Sequence, residues 1–369
     1  MARLKLGMVG GGQGAFIGAV HRIAARIDGD WDLVAGALSS TPDKAQASGA
    51  ELGLAEDRIY DSYQNMAKAE AARDDGIDAV AIVTPNHMHA GPAVAFLDAG
   101  IHVICDKPLA SDLNGAQAIA DAAKRSKKQF FLTHNYTGYP LMRQAREMVA
   151  AGQLGQLRMV SAEYVQDWLT EAADPDNKQA AWRTDPKRSG AGGCVGDIGT
   201  HAFNLMQFVT GLAVKEMSAE LTAFVPGRQV DDNVTARFRF DGGARGTLWA
   251  SQVAVGNENG LSLRIYGDKG GLEWHQENPN VMTFTPFGQP KQILTRGGAA
   301  PIGSAQALRV PPGHPEGYLE GFATLYHDAA EIIRGRKGMV PGIDEGLAGM
   351  RFIDGCVRSS ADNGAWVKI

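Results

Sequence analysis

The chain has 369 residues, 44% of them hydrophobic and 21% charged, with a formal net charge of −5. That length suits two domains rather than one, and the apolar share supplies a sizeable core. The acidic balance gives no electrostatic case for a nucleic-acid partner. Three widely spaced cysteines, Cys105, Cys194 and Cys356, argue against a disulfide framework and fit a reducing cytoplasm. The opening residues run straight into a strand, which leaves no room for a signal peptide, and no apolar run approaches a membrane span. A soluble cytoplasmic protein with no membrane partner is expected.

The opening stretch reads LKLGMVGGGQGAFIGAVH. A short apolar run (Leu6, Met8, Val9) ends in three glycines, and the run from Ala15 to Val20 can start a helix. Strand, glycine turn and helix in that order form a dinucleotide site. Gly10 allows the tight turn, Gly12 lets the backbone approach a pyrophosphate, and Ala15 fills the third small position of G-x-G-x-x-G/A. The helix N-terminus would add free N–H groups and the positive end of its dipole. The alternative is a glycine turn with no ligand.

Up to about Thr133 the pattern alternates. Apolar runs at 33–38, 79–83, 101–105 and 130–132 read as buried parallel strands. Helical spacing falls around 42–52, 63–73, 89–99 and 113–126. Gly76 and Gly100 follow helices, where a left-handed cap favours glycine. The expectation is a doubly wound α/β domain over 1–134 with helices on both faces of a parallel sheet. After Asn135 a helix at about 141–151 precedes period-2 alternation. Val234, Ala236, Phe238 and Phe240 face one way and Thr235, Arg237 and Arg239 the other. Asp241, Gly242 and Gly243 make a hairpin turn, with the return strand over 246–253. Residues 261–266, the turn 267–271 and residues 272–275 extend the meander. The glycine- and proline-rich segment 286–315 reads as a long loop, and helices near 318–334 and 345–361 close the chain. Residues 135–369 are thus an α+β domain with a large, open, mostly antiparallel sheet, whose last helices could pack on the first domain.

Ligands of doubly wound sheets bind beyond the carboxyl ends of the strands. The second strand ends in Ser39 and Ser40, where an NAD-selective site usually has an acid for the ribose hydroxyls, and Lys44 could reach a 2′-phosphate. NAD and NADP both stay open, as does a Lys44 simply in solvent. The next strand ends in Thr84-Pro85-Asn86-His87-Met88-His89. Cofactor contact, helix capping by Asn86, and metal chelation by His87 and His89 are the three readings. The fourth ends in Cys105-Asp106-Lys107-Pro108. A lysine there can stabilise a developing alkoxide, and a cis Lys107–Pro108 bond would aim it inward; the alternative is a surface lysine. In GAGGCVGDIGTH, a glycine loop leads into a helix on which Asp197 and His201 are spaced i, i+4. A neutral histidine can take a hydroxyl proton while an aspartate and a lysine position the substrate. A helix-terminal charge with a core histidine is the plain alternative, and a metal on Cys194, Asp197 and His201 a second; no metal is expected.

In order and spacing, GGGQGAFIGAVH, TPNHMH, DKP and GGCVGDIGTH resemble the Gfo/Idh/MocA family, the glucose–fructose oxidoreductase and inositol dehydrogenase type, over essentially the whole chain. The resemblance implies that Lys107 is the motif lysine at the substrate hydroxyl. Asp197 and His201 are then the substrate-side acid and base. Asn86 and His89 match the family's PNxxH cofactor segment, with Thr84 beside it, and Asp106 stands where the family has glutamate. Asn135 matches an asparagine near the nicotinamide, and Trp182-Arg183 a pair that folds over the cofactor. Three extra residues lie between Gly12 and Gly18. Gln13, Ala15, Phe16 and Ile17 therefore fall in a longer phosphate turn, and Gly18–His21 matches the later GxxH. The NYTGYP, SQV…NENGL and GGLEW stretches are similar to the branch that oxidises levoglucosan and other sugars or glycosides. Tyr136, Tyr139, Tyr164 and Asp167 are then sugar contacts, or ordinary packing residues. The implied activity moves a hydride between nicotinamide and a ring secondary hydroxyl of a sugar, anhydrosugar, glycoside or cyclitol, with C3 a candidate carbon. The implied assembly is a homodimer or homotetramer through the open sheet. An NAD-retaining glycosidase or lyase, and a cofactor-sensing regulator, are the alternatives; the set Lys107, Asp197 and His201 argues against the regulator.

Overall fold

A computed structural model describes residues 2–172, 174, 177–298 and 307–369. In chain order it begins β1 (Leu4–Gly10), α1 (Phe16–Ile27), β2 (Trp31–Ala37), α2 (Pro42–Glu51) and α3 (Tyr63–Ala71). Then come β3 (Ala79–Val83), α4 (Ala90–Asp98), β4 (His102–Cys105), α5 (Leu113–Ser126) and β5 (Phe130–Leu132). The chain continues with α6 (Pro140–Ala150), β6 (Leu157–Val165), α7 (Lys178–Arg183), α8 (Pro186–Ser189), α9 (Thr200–Thr210) and β7 (Val214–Thr222). The strands β8 (Asn233–Phe240), β9 (Arg245–Ser251), β10 (Gly260–Gly267), β11 (Gly270–His275), β12 (Val281–Pro286) and β13 (Gln292–Thr295) follow, before α10 (Tyr318–Ile333) and α11 (Ile343–Ala361). These elements form two compact units, Met1–Asn135 with Tyr318–Leu347, and Tyr136–Gly317 with Ala348–Ile369.

The first unit is built on a parallel sheet in the order β2-β1-β3-β4-β5. Every residue of β3 is buried, as a strand covered on both faces must be. The order reverses between β1 and β3, which opens a crevice beyond their carboxyl ends. Helix α1 buries Gly18, Val20, His21, Ala24 and Ala25 along one stripe. Helix α10 joins this unit because its polar atoms have partners there. The Trp31 indole donates to the Tyr326 carbonyl at 2.9 Å, the Tyr326 hydroxyl meets His21 Nδ1 at 2.8 Å, and Arg334 pairs with Asp30 at 2.6 Å.

The second unit carries an eight-stranded sheet, β13-β12-β11-β10-β6-β9-β8-β7, antiparallel except for the β6–β9 pair. In β8, Val234, Ala236, Phe238 and Phe240 are buried, with Thr235 and Arg237 exposed. Helix α9 packs on the buried side, where Phe203 stacks on Phe352 at 4.4 Å.

Two expectations change. The stretch 286–315 is not a single loop, because β13 pairs with β12 inside it, while 299–306 lie outside the described residues. Gly76 has no left-handed backbone; a Cβ there would stand 2.1 Å from the Glu70 carbonyl oxygen, so close approach explains it. Gly100, at φ +80°, does adopt the left-handed cap. Strands β6 and β7 carried weak signals. The β7 sequence VKEMSAELT is rich in helix formers, and its pairing with β8 overrides that preference.

The backbone-to-backbone approach of α1 to the turn after β1 generates a test. A Cβ on Gly18 would lie 2.4 Å from Gly11 Cα, whereas one on Gly349 in α11 meets nothing within 4 Å. Gly18→Ala should destabilise by roughly 1–3 kcal/mol, and Gly349→Ala should be neutral or gain up to about 1 kcal/mol. Urea unfolding reads both, and equal effects would refute the packing argument.

Candidate active site

The turn after β1 holds Gly10 and Gly11 at φ +79° and +72°, a conformation that favours glycine at both. Gly12 is small for another reason: its Cβ would sit 2.7 Å from both the Leu38 carbonyl oxygen and Ser48 Oγ. Its own N–H donates to that carbonyl at 3.2 Å, and the Gln13 N–H donates to Ser48 Oγ at 3.1 Å. The close helix-to-turn contact belongs to Gly18 against Gly11, not to Ala15, which is the extended residue before α1. The longer turn moves that contact three residues along. Gln13 instead turns its amide to Glu51, at 2.7 Å. Phe16 is 64% exposed at the start of α1, and Ile17 is half-buried.

A dinucleotide fits this cradle. No side chain caps α1 and no acidic residue lies in its first turn, so the helix end can receive a pyrophosphate. At the β2 end, Ser39 Oγ accepts from the Thr41 N–H at 3.1 Å, and Ser40 is exposed. Lys44 is also exposed and forms no ion pair among the described residues.

His89 is fully buried, with Nδ1 2.8 Å from the Pro108 carbonyl oxygen and Nε2 2.9 Å from that of Thr84. It ties the loop after β3 to the loop after β4. Both ring nitrogens face carbonyl groups of the protein, so the imidazole joins these loops. The same geometry removes His89 from a metal site with His87. Thr84 turns its hydroxyl to the Met88 carbonyl at 3.1 Å. Asn86 opens a short 3₁₀ turn and is buried, while His89 is the residue that precedes α4.

Asp106 Oδ1 accepts from the Lys107 N–H at 2.9 Å and from Thr133 Oγ1 at 3.1 Å, and the Lys107–Pro108 bond is cis. Its charge favours protonation of His21 and His89, while the Lys107 charge opposes protonation of His134. Burial outweighs these fields: His21 is lowered to about 4 and His134 to about 3. Asn135 is buried, and its Nδ2 has no hydrogen-bond partner among the described residues. An orphaned amide donor past the end of β5 suits a polar ligand group.

In the second unit, Asp197 lies in a π-helical segment, Val195–Gly199, that runs into α9, with His201 in the first turn. The i, i+4 spacing is thus carried across a change of helix type rather than along one α-helix, and such segments recur at functional sites. Asp231 holds the segment's start. Its carboxylate accepts from the Gly193 N–H at 2.6 Å and the Val195 N–H at 2.7 Å. Burial raises its pKa to about 6 despite these donors.

Asp197 Oδ2 receives Arg183 Nε at 3.0 Å and Gln252 Nε2 at 2.8 Å. Arg183, expected over the cofactor, is thereby placed on the acid of its own unit, with its guanidinium 4.3 Å from the Trp182 ring. His201 is buried with the Tyr136 ring edge 5.0 Å away and that of Tyr164 at 6.1 Å. Tyr136 and Tyr164 share a hydroxyl contact of 2.6 Å, Asn259 Oδ1 accepts from Tyr164 at 2.8 Å, and Gln276 Nε2 reaches Tyr139 at 3.4 Å. All three tyrosines are buried, with Tyr136 and Tyr164 against His201 and Tyr139 against Tyr136. Asp167 Oδ2 accepts from the Gly256 N–H at 2.9 Å and shapes a loop. Among the described residues, the group close enough to share a metal is Asp30, His327 and Glu331, where Arg334 already pairs with both carboxylates.

Hydride chemistry on a bound dinucleotide is the class of reaction these parts suit. Residues 4–134 match the oxidoreductase family with an NAD-binding Rossmann fold, and residues 142–273 match the GFO/IDH/MocA C-terminal domain. The chain belongs to the Gfo/Idh/MocA oxidoreductases. An oxidoreductase from Sinorhizobium meliloti is 54% identical, with a TM-score of 0.91 over 100% of both chains. An inositol dehydrogenase homolog from Azotobacter vinelandii, solved with NADH and myo-inositol, is 34% identical, with a TM-score of 0.92 over 100% of this chain and 98% of that one. Levoglucosan dehydrogenase of Pseudarthrobacter phenanthrenivorans is 28% identical over 100% of this chain and 99% of its own.

Asp231 and Tyr326 escaped the sequence reading, and Gln252 and Asn259, inside the SQV and NENGL stretches, were given no role there. Asp231 and Gln252 lie far along the chain, where the fold brings Asp231 to the N–H groups of Gly193 and Val195 and Gln252 to the Asp197 carboxylate. Buried His21 and His134 give a pH test. Their folded pKa values lie below the unfolded 6.5, so their contribution is complete above about pH 6.5 and is lost as pH falls toward 4 and 3. For His21 the loss at low pH is on the order of 3 kcal/mol. Because Asp231, raised to about 6, works the other way over part of this range, the reading is the difference: as pH falls from 6.5 to 4 the parent should lose more unfolding free energy than His21→Asn. Equal losses would refute this.

Proposed function

We propose that the protein is an NAD-dependent dehydrogenase oxidising a ring secondary hydroxyl of an uncharged sugar, anhydrosugar, glycoside or cyclitol, with C3 of a pyranose the favoured carbon. The observation that carries the reading is the buried imidazole of His201 one turn from the clamped carboxylate of Asp197. Solved relatives holding NADH with myo-inositol or levoglucosan support it.

Bound NAD supplies the hydride acceptor. His201, acting as an imidazole base, takes the hydroxyl proton as the C–H bond breaks. Lys107 donates to the same oxygen and stabilises its developing negative charge. Asp197 accepts from a neighbouring hydroxyl and orients the ring. Gly10, Gly12 and the first turn of α1 hold the pyrophosphate, with Thr84, Asn86, Asp106 and Asn135 along the nicotinamide half. The open face of the eight-stranded sheet, which carries a groove of about 440 Å³ lined by Glu163, Arg237 and Trp249 among others, is proposed to meet a second copy of the chain.

Nicotinamide absorbance with NAD or NADP and a panel of sugars, anhydrosugars, glycosides and cyclitols tests the activity. Steady reduction with one class is expected. Glycoside cleavage without net reduction would replace the reading with redox elimination. Lys107→Ala and His201→Ala should each lower kcat by roughly 10²–10⁴-fold and leave NAD affinity nearly unchanged. Full turnover in either would remove that residue from the chemistry. Chelators should leave activity intact, and light scattering should give twice or four times the chain mass.

A further inference from the structure

The geometry points to Arg183 and Gln252 as positioning residues that fix the carboxylate of Asp197 for the substrate, rather than as contacts to the cofactor. The inference rests on the proposed role of Asp197 and adds residues that act through it. Both donors converge on one oxygen, Oδ2, at 3.0 and 2.8 Å. Each is itself held before it reaches Asp197. Arg183 lies 4.3 Å from the Trp182 ring and 5.8 Å from that of Trp168, and its Nη1 donates to Gln179 Oε1 at 2.7 Å. The helix that carries it starts at Asn177, whose side chain accepts from the N–H groups of Gln179 and Ala180 at 3.0 and 3.2 Å. Gln252 is buried, and its own N–H donates to the Asp232 carbonyl at 2.8 Å.

An exposed ion pair contributes little, because two long side chains must be ordered in water. This pair differs in that its donors are ordered by other contacts, so the carboxylate meets a preformed site. Two charge-assisted or polar donors on a single oxygen keep the group ionised and fix its rotation. Other titratable groups also face it. Tyr136 and Cys194 feel Asp197 and are buried, with pKa values raised, and Asp231 adds negative charge near Cys194. His201 lies four residues along the same helical segment. Arg183 Nε donates to Asp197 as a cation.

The test uses the full-length protein with NAD and whichever polyol it reduces NAD with. Arg183→Met should lower kcat/KM by about 10- to 100-fold near neutral pH. It should also raise the acidic limb of the kcat/KM profile by about one pH unit. Arg183→Lys, which keeps the charge, should return the limb toward its original position. Gln252→Leu should move the limb the same way by less. Binding of NAD, read by quenching of protein fluorescence, should stay within about twofold in all three. Should Arg183→Met fail a thermal-unfolding check, Arg183→Lys and Gln252→Leu carry the test. A limb that stays in place overturns the inference, as does a tenfold or greater loss of NAD affinity, which would make Arg183 a cofactor ligand. Asp197→Asn separates the two levels. If it keeps full turnover, the proposed role of Asp197 falls and the inference with it. If it is inactive while the Arg183 variants leave the limb unmoved, only the inference falls.

Discussion

Helix α1 approaches the end of β1 so closely that Gly18 and Gly11 meet backbone to backbone, with no room for a methyl group between them. Arg22 closes the contact by donating to the Gly11 carbonyl at 2.6 Å. From that approach much of the first unit follows. The uncapped helix end is aimed at the crevice where the strand order reverses, and His21 is carried inward onto Tyr326. Tyr326 in turn brings α10 against β2 through Trp31. A segment more than 180 residues downstream of β5 thus completes the core around the first strand. The contact is steric, and no polar interaction could substitute for it, since dense packing leaves no slack to absorb an added carbon.

In the second unit the corresponding constraint is electrostatic. Asp231 offers two oxygens to two backbone N–H groups at the start of the π-helical segment, and its backbone carbonyl accepts a third, from Cys194 at 2.8 Å. A buried carboxylate is costly unless it is hydrogen-bonded, and these donors offset part of that cost. The segment they hold presents Asp197 and His201 from a rigid start rather than from a mobile loop. Asp232, the next residue, receives the N–H groups of Phe224 and Val225 at 2.9 and 3.0 Å, so the same stretch of chain also shapes the turn before β8. Order at Asp197 and His201 therefore depends on residues elsewhere in the chain.

The tyrosines behind His201 illustrate how a site grades into a core. Their hydroxyls end on one another and on Asn259 and Gln276, which satisfies polar atoms that burial would otherwise leave orphaned. A wall of this kind gives the imidazole edge-on aromatic contacts on two sides. Such contacts hold ring orientation without adding charge, which suits a group that is proposed to work in its neutral form.

Much of the fold was legible in the amino-acid order, because alternation and helical spacing are local properties. The parallel strands, the glycine turn after β1, the β8–β9 hairpin and the family motifs all lie within short stretches. Lys107, Asp197 and His201 could be singled out for the same reason. What local pattern could not supply was direction and partnership. That both ring nitrogens of His89 face carbonyl groups, and that Arg183 reaches Asp197, is visible only in the fold. Asp231 and Tyr326 carry no motif at all, and Gln252 lies in a motif that names no partner for it. Their roles arise because sheet pairing and helix packing bring distant positions within hydrogen-bond reach, and a hydrogen bond depends on distance in space, which spacing along the chain does not encode.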